Sequence, residues 1–317
     1  MSGAKSLRFG GKIFGQQKDY WIAIGSLPQA EEDSKDASVE PRGKGVNELV
    51  FWVTDSLLND WIQLPDCRPE HIIQARLIKH VFTGNLNAEI DSNPTFCGKE
   101  RHLLRATLAR IFSATAVCPK GLLALDEETN EVKFAEEFAM PKTEELKSLE
   151  SWSNMHPIIL KAGRTTHKAP AGMGEEDAAA YMEEQEGKDP TVERFRGLNE
   201  HAQYPGEQPC WFSRVVGDTQ QYAEGGAEGE NVSYAVNVIK SIRWPGAVTV
   251  AKGGKFCCIY VGYGLKKGDP SYNPIEPPEV CQDPEEEEDQ PEPNPPTEPP
   301  TDIEPNTDAP DGNPDDQ

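Results

Sequence analysis

The sequence has 317 residues, with 54 Asp or Glu against 31 Lys or Arg and a formal net charge of −23 at pH 7. A chain of this length can bury the core of one large domain or two small ones. Its charge repels nucleic-acid phosphates and anionic lipid surfaces, so we expect neither nucleic acid nor a membrane as a partner. No stretch reaches the ~18 apolar residues of a membrane span.

The acidic residues are concentrated at the C-terminal end. Residues 281–317 contain fourteen acids, ten prolines and no lysine or arginine. Such a segment buries too little apolar area to offset its ordering entropy, and its like charges keep it extended. We therefore predict a folded domain at residues 1–275 and a disordered Pro/Glu/Asp-rich tail at residues 276–317.

The seven cysteines are scattered and form no Cys-x-x-Cys pair. Their odd number and their spacing argue against a disulfide framework and against a zinc ribbon. The N-terminal residues also lack the apolar core of a secretory signal. A reducing, cytoplasmic compartment fits these features best.

The first predicted elements are strands. Residues 12–24 predict a hairpin that turns at residues 15–18 and returns through an alternating apolar run. Residues 28–46 are polar and predict a surface loop. Residues 48–54 are rich in aromatic and β-branched side chains, which favours another strand.

Two helices are predicted next. The first begins at Pro69 and ends at Gly84, and Ile73, Leu77 and Val81 recur along it at four-residue spacing. The second covers residues 99–115. Its buried stripe is predicted to consist of apolar residues at helical spacing, namely Leu104, Leu108, Ile111 and Phe112. Its solvent side is predicted to carry three arginines, Arg101, Arg105 and Arg110.

The middle of the chain alternates short elements with acidic loops. Residues 122–125 and 131–134 predict a hairpin, and residues 143–152 predict a short helix. Residues 168–208 are rich in Glu, Gly, Ala and Pro, which predicts a long, flexible acidic insertion. Residues 208–216 return to the core.

Residues 232–264 organise the predicted fold. They contain three apolar runs of strand length, separated by Pro245-Gly246 and by Gly253-Gly254, and a Gly-Gly pair favours a tight hairpin turn. In the last run both alternating sets are apolar, so we expect both faces to be covered. We therefore predict an α+β fold: a mostly antiparallel sheet or meander core, two or three packed helices, long acidic loops and the acidic tail.

The sequence lacks the motifs that bind phosphates, dinucleotides or catalytic zinc. His71 and His80 lie nine residues apart on the first predicted helix, on opposite sides, so one metal ion does not bridge them there. We expect no catalytic, metal-binding or cofactor-binding residue, no cofactor, and a protein that is not an enzyme. A Cys/His-dependent hydrolase stays open as an alternative, because one sequence does not show which side chains meet.

The six tryptophans fall into two groups. Four lie in or beside predicted strands, where core packing is the expected role. Trp61 and Trp152 lie at the ends of elements, and we predict that they contribute to a partner interface.

Short motifs in a fixed order resemble the radial spoke head protein 4/6 family of motile cilia and flagella. The matching stretches span roughly residues 9–275 and include Gly11-Lys12-Ile13-Phe14-Gly15, Gly45-Val46-Asn47, Phe82-Thr83-Gly84, Leu104-Arg105-Ala106, Pro119-Lys120-Gly121, Trp244-Pro245-Gly246-Ala247 and Tyr272-Asn273-Pro274.

The resemblance implies a structural, non-catalytic subunit of the radial spoke head, which mediates the contact between spokes and central pair that regulates dynein-driven bending. It also implies other radial spoke head subunits as partners, a homodimer or paralogue heterodimer, and transient contact with central pair projections. The implied location is the cytoplasm, the cytoskeleton and the axoneme of the cilium or flagellum. A general cytosolic scaffold outside cilia stays open as a second alternative.

Overall fold

A computed structural model describes residues 3–27, 39–126, 132–135, 138–139, 141–170, 172–198, 210–218, 221–223, 231–252 and 255–268. The predicted tail, the Gly253-Gly254 turn and residues 28–38 of the predicted surface loop lie outside the described residues. Within these ranges, every helix is too short or too polar to cross a lipid bilayer.

The strands in chain order are β1 (Ser6–Ile13), β2 (Tyr20–Ser26), β3 (Val50–Thr54), β4 (Ile62–Gln63), β5 (Val117–Pro119), β6 (Leu123–Leu125), β7 (Val132–Phe134), β8 (Trp152–Asn154), β9 (Trp211–Val216), β10 (Gln221–Ala223), β11 (Asn231–Ser233), β12 (Val236–Ser241), β13 (Ala247–Lys252) and β14 (Lys255–Gly262). The α-helices are α1 (Pro69–Leu77), α2 (Glu100–Thr115) and α3 (Glu175–Lys188), and 3₁₀ turns cover Gly45–Asn47, Glu145–Lys147 and Leu149–Ser151.

One large sheet dominates the fold. Eight strands follow the order β4-β3-β2-β1-β14-β13-β12-β9, and three two-stranded sheets pair β10 with β11, β5 with β8 and β6 with β7. Within the large sheet only the β1–β14 pair is parallel. The predicted α+β class with a mostly antiparallel core is confirmed, as are the hairpins β1–β2 and β6–β7.

The parallel pair joins the N-terminal strands to the C-terminal meander β12–β13–β14. Gly11 lies opposite Tyr260 at this junction, just after a bulge between Phe9 and Gly11. Its φ is +119°, and a Cβ there would lie 1.9 Å from the Tyr260 carbonyl oxygen. Only glycine combines that backbone conformation with so close an approach, so Gly11 allows the two halves of the sheet to meet.

The meander lies in the middle of the sheet, as predicted, but β14 is not covered on both faces. Cys258 and Tyr260 are buried, whereas their neighbours Cys257 and Val261 are exposed. The prediction that both faces of this strand are covered is therefore wrong, although both alternating sets of its residues are apolar. One side of β14 packs on the core, and the other side faces outward.

The hydrophobic core lies between the sheet and α2. The predicted stripe Leu104, Leu108, Ile111 and Phe112 is fully buried, which confirms it. These residues share one cluster with the inward residues of β2 and β3, including Ile22, Ile24, Phe51 and Val53. The side of the main sheet that packs on α2 is called the inner face below, and the opposite side is called the outer face.

Helix α1 is shorter and rotated compared with the prediction. It ends at Leu77, and the chain continues in an extended conformation from Ile78. The predicted stripe residues Ile73 and Leu77 are exposed, whereas Ile72 and Ala75 are buried. The extended exit brings Ile78 and Phe82 into the core without a helix, so the four-residue spacing did not mark the buried face.

Two arginines of α2 also contradict the predicted solvent side. Arg105 and Arg110 are buried, and only Arg101 of the predicted set stays partly exposed. The backbone carbonyl of Ala75 accepts a hydrogen bond of 2.7 Å from Arg110. A backbone acceptor of α1 therefore compensates part of the cost of burying the Arg110 guanidinium.

Two predictions in the middle of the chain need correction. Residues 143–152 form two 3₁₀ turns, and Trp152 begins β8 instead of ending a helix. The predicted flexible insertion at residues 168–208 contains helix α3, although residues 171 and 199–208 lie outside the described part. Three acids in the first turn of α3, Glu175, Glu176 and Asp177, complement the helix dipole, which favours a helix without a buried face.

Candidate interaction surface

A buried carboxylate holds the start of α2 against the sheet. Glu100 accepts hydrogen bonds from the Tyr20 hydroxyl at 2.7 Å, the Thr83 backbone N–H at 2.8 Å and the Gly84 N–H at 2.9 Å. Burial alone would raise the pKa of Glu100, but the nearby His80 side chain and hydrogen bonds from Tyr20 and Thr83 outweigh it and lower this pKa to about 2. The carboxylate is therefore ionised and fixes the loop after α1 to β2.

Arg105 makes a second buried anchor, this time to the segment before β3. Its guanidinium donates to the Val46 carbonyl and the Asn47 side-chain oxygen, both at 3.0 Å, and to the Leu49 carbonyl at 3.1 Å. The same guanidinium lies 4.9 Å from the centre of the Phe51 ring. This cation therefore ties the centre of α2 to the inner face.

Glu48 links three distant segments of the chain. Arg194 donates two hydrogen bonds to its carboxylate, at 2.9 and 3.0 Å, and His156 Nδ1 lies 3.1 Å from the same group. Burial alone would raise the pKa of Glu48, but the charges and hydrogen bonds of His156 and Arg194 outweigh it and lower this pKa to about 2. These contacts therefore tie the segment before β3 to two distant segments of the chain.

The buried thiols contact groups other than imidazoles. Cys258 donates to the Val117 carbonyl at 3.1 Å, and Cys118 lies 3.5 Å from the Ser153 hydroxyl. Burial raises the pKa of Cys67 and of Cys118 to about 11, and it also raises the pKa of Cys258. A neutral thiol is a weak nucleophile, so these three cysteines do not support the hydrolase alternative.

The histidines on and after α1 have separate surroundings. His71 is buried, and its ring centre lies 5.0 Å from His102 and 5.6 Å from Phe96. His80 lies after α1, with its Nε2 3.9 Å from the Glu100 carboxylate. Among the residues that the structure describes, no group of three His, Cys, Asp or Glu side chains is arranged to hold a metal ion.

The two tryptophans predicted at a partner interface occupy different environments. Trp152 is fully buried, and its Nε1 donates to the Leu146 carbonyl at 2.8 Å. Its prediction is wrong, because a side chain inside this chain's own core is not available to a partner. Trp61 is half-buried beside the cluster of Ala23, Val50 and Trp52 on the outer face, so its role at an interface stays a prediction.

The outer face carries apolar side chains that no described element covers fully. Phe212 of β9 is 49% exposed, Val261 of β14 is 40% exposed and Phe9 of β1 is 48% exposed. The register aligns these side chains in rows. One row runs across four strands through Phe212, Lys240, Val248 and Ile259, and the next runs through Arg214, Val238, Val250 and Cys257.

We call the outward residues of β9, β12, β13 and β14 the β9–β14 patch. Its members are Phe212, Arg214, Val216, Val236, Val238, Lys240, Val248, Val250, Lys252, Lys255, Cys257, Ile259 and Val261. The alternation in these strands is present in the sequence, where it predicts only that the strands belong to the core. Which alternate set faces outward depends on where α2 and the cluster around Leu146 and Trp152 pack, and no local pattern contains that information.

The family of the chain follows from its match to known proteins. A model of the family described as radial spokehead-like protein matches residues 24–300, which is most of the chain. The chain belongs to this family. Radial spoke proteins are axonemal components of cilia and flagella, within the cytoskeleton, and the chain is one of them.

Curated relatives agree with the family and with its 4/6 type. Flagellar radial spoke protein 4 of Chlamydomonas reinhardtii is 31% identical over 300 residues, which cover 88% of this chain and 62% of the relative. Radial spoke head protein 6 homolog A of Xenopus tropicalis is 33% identical over 248 residues, covering 74% and 46% respectively. Radial spoke head protein 4 homolog A of Homo sapiens is 31% identical over 287 residues, covering 84% and 36%. These matches confirm the resemblance to the radial spoke head protein 4/6 family that the motifs indicate. The matched residues cover between 36% and 62% of the length of these relatives.

Proposed function

We propose that this chain is a structural, non-catalytic subunit of the radial spoke head, and that it takes part in the contact between spokes and central pair that regulates dynein-driven bending. The match of the radial spokehead-like family to residues 24–300 carries this proposal. Buried ionic anchors such as Glu100 and Arg105 support it, because they brace a body that must transmit force without rearranging.

The proposed partners are other radial spoke head subunits, with a homodimer or a paralogue heterodimer as the pairing and with transient contact to central pair projections. Trp61 is proposed to contribute to one of these interfaces. Two apolar neighbours support this role, because Leu58 and Ile62 are 96% and 51% exposed. Aromatic residues beside exposed apolar side chains are enriched at protein interfaces.

The test is replacement of the chain in motile cells that lack it. The full-length chain with a C-terminal tag should restore spoke heads, viewed by electron microscopy of axonemes, and should restore normal bending. It should also sediment with isolated spoke heads. A chain that is absent from isolated axonemes would contradict the proposal and would favour a general cytosolic scaffold.

A Cys/His-dependent hydrolase is the alternative that needs a separate test. Among the described cysteines, Cys97 and Cys257 are exposed and Cys210 is partly exposed, and Cys257 belongs to the β9–β14 patch. The double variant Cys97→Ser, Cys210→Ser leaves the patch unchanged and should restore spoke heads and bending as well as the unchanged chain does. Normal spoke heads combined with abnormal bending in this variant would favour thiol chemistry.

A further inference from the structure

We propose that the β9–β14 patch binds a second protein whose contacting surface combines apolar side chains with Asp or Glu. This inference rests on the proposed function, because it names the chemistry of one partner within the spoke head. Three features of the patch support it: its apolar rows, its charge and its size.

The apolar rows are incompletely buried by the part of the chain that the structure describes. Val238, Val248, Val250 and Ile259 are half-buried, while Phe212 and Val216 at the end of the rows are 49% and 39% exposed. Their chain neighbours Ile239, Ala251 and Tyr260 are buried on the inner face. A sheet with one packed face normally presents polar residues on the other, so this composition is unusual for a face left in water.

The charge of the patch is opposite to that of the whole chain. The strands β9, β12, β13 and β14 contain no Asp or Glu, although the chain has 54 such residues. Their cations are Arg214, Lys240, Lys252 and Lys255, and all four are exposed. Within the described ranges, none of the four forms an ion pair, and Lys252 instead lies 5.3 Å from the Tyr234 ring centre.

These cations select the occupant. A second copy docked through the same patch would match the apolar rows, but it would also place cations against cations. Like charges in a desolvated contact are unfavourable, so a second copy is disfavoured. The tail at residues 281–317 supplies fourteen acids, but Ile303 is its only large aliphatic residue. It therefore complements the charge of the patch but not its apolar rows. A partner surface that carries acidic and apolar side chains complements the cations and the apolar rows together.

The size of the surface fits a protein partner. The patch continues across β1 and β2 through Phe9 and Trp21, whose ring centres are 6.1 Å apart. Six adjacent strands at a spacing of ~4.8 Å span about 24 Å. With about 17 Å along the strands, the projected area is about 400 Å², which is comparable with the largest apolar patch of a typical soluble protein, a patch that is often functional.

The first experiment identifies the occupant by cross-linking. A photoreactive benzophenone amino acid is placed at position 250 of the full-length chain in cells that lack the natural chain, and axonemes are irradiated. We expect a cross-link to a different spoke head protein, at a peptide that contains Asp or Glu beside apolar residues. Position 147 is the control, because Lys147 is exposed in a 3₁₀ turn that packs on the inner side of β12.

Several outcomes would overturn the inference. Cross-links only to a second copy, only to residues 276–317 of the same chain, or only to lipid would each name a different occupant. No cross-link from position 250, with the chain present in isolated spoke heads, would overturn the docking site and leave the proposed function intact. Absence of the chain from spoke heads would instead contradict the proposed function.

The second experiment tests the role of charge. The double variant Arg214→Glu, Lys240→Glu should compete at least about tenfold less well than the unchanged chain for incorporation into spoke heads, because two attractive contacts become repulsive. The matched control Lys142→Glu, Lys147→Glu makes the same charge change off the patch and should incorporate normally. Equal incorporation of the two double variants, with thermal unfolding unchanged in both, would contradict the acidic partner.

Discussion

On the inner face of the main sheet, Ile239, Ala251 and Tyr260 are buried against the core. On the outer face, their chain neighbours Val238, Val250 and Val261 remain half-buried or exposed. The same strands build both faces from similar β-branched and aromatic residues. The difference lies in what packs on them, since α2 and the cluster around Leu146 and Trp152 cover one face and no described element fully covers the other. The apolar composition of a strand therefore indicates that its face is to be covered. It does not indicate whether this chain or a partner covers that face.

The largest expected effect comes from placing the same charge on each face. Ala251→Glu buries a carboxylate in the cluster of Ile239 and Trp152, and we expect a loss of more than about 4 kcal/mol in the free energy of unfolding. Val250→Glu, one residue earlier, should change that free energy by less than about 1 kcal/mol. Urea unfolding followed by tryptophan fluorescence measures both. Equal losses would mean that the outer face is a second core.

The next effect concerns the anchor at the start of α2. Glu100→Ala removes the acceptor of the buried Tyr20 hydroxyl and of the partly buried Thr83 and Gly84 N–H groups. We expect the free energy of unfolding to fall by about 3–5 kcal/mol. Glu144→Ala, at an exposed position, is the control and should cost less than about 0.5 kcal/mol. A loss below about 1 kcal/mol for Glu100→Ala would show that apolar packing alone holds α2.

The sequence predicted the elements of the inner face well, because their signals are local. The stripe of α2 follows helical spacing, and the hairpin β1–β2 follows alternation around a turn. The burial of Arg105 was not predictable in this way. Its acceptors are Val46, Asn47 and Leu49, more than fifty residues earlier in the chain, and they reach it only through the tertiary fold.

The interaction surface was less predictable from the sequence, because the position of a tryptophan at the end of an element is a weak local signal. Trp152 occupies the core with its indole N–H satisfied by Leu146, so a position at the end of an element did not indicate exposure. The β9–β14 patch lies in strands that the sequence predicts in the core, and for β14 it predicts cover on both faces. A single sequence contains the alternation of Val238 and Lys240, but the side on which Leu146 and Trp152 pack decides which residues of β12 face outward.

A smaller effect distinguishes the two sides of α1. Ile72 is fully buried and Ile73 is 40% exposed, although both are isoleucines in the same helix. Ile72→Ala should lower the free energy of unfolding by about 2–4 kcal/mol through the cavity that it leaves, whereas Ile73→Ala should cost less than about 1 kcal/mol. Urea unfolding of the two variants measures the difference. A larger loss for Ile73→Ala would restore the stripe that the sequence predicted.

The smallest effect tests the anchor at Glu48 through its pH dependence. The pKa of this carboxyl in the folded chain is about 2, below its ordinary value of 4.5, so its stabilisation is present above pH 4.5 and is lost as the pH falls towards 2. Glu48→Gln removes this dependence, and because Glu48 is partly exposed we expect a loss of only about 1 kcal/mol at pH 7.

The two unfolding curves of Glu48→Gln and the unchanged chain should therefore converge as the pH is lowered from 4.5 to 2, with thermal or urea unfolding measured at each pH. Glu144→Gln controls for the loss of one carboxylate, because residue 144 is exposed. A difference that stays constant over this range would mean that the hydrogen bonds from His156 and Arg194 stabilise the fold through geometry and not through the ionised carboxylate. The contacts of residue 48 with His156 and Arg194 would then persist after the carboxyl is protonated, and they would still join these three segments in acid.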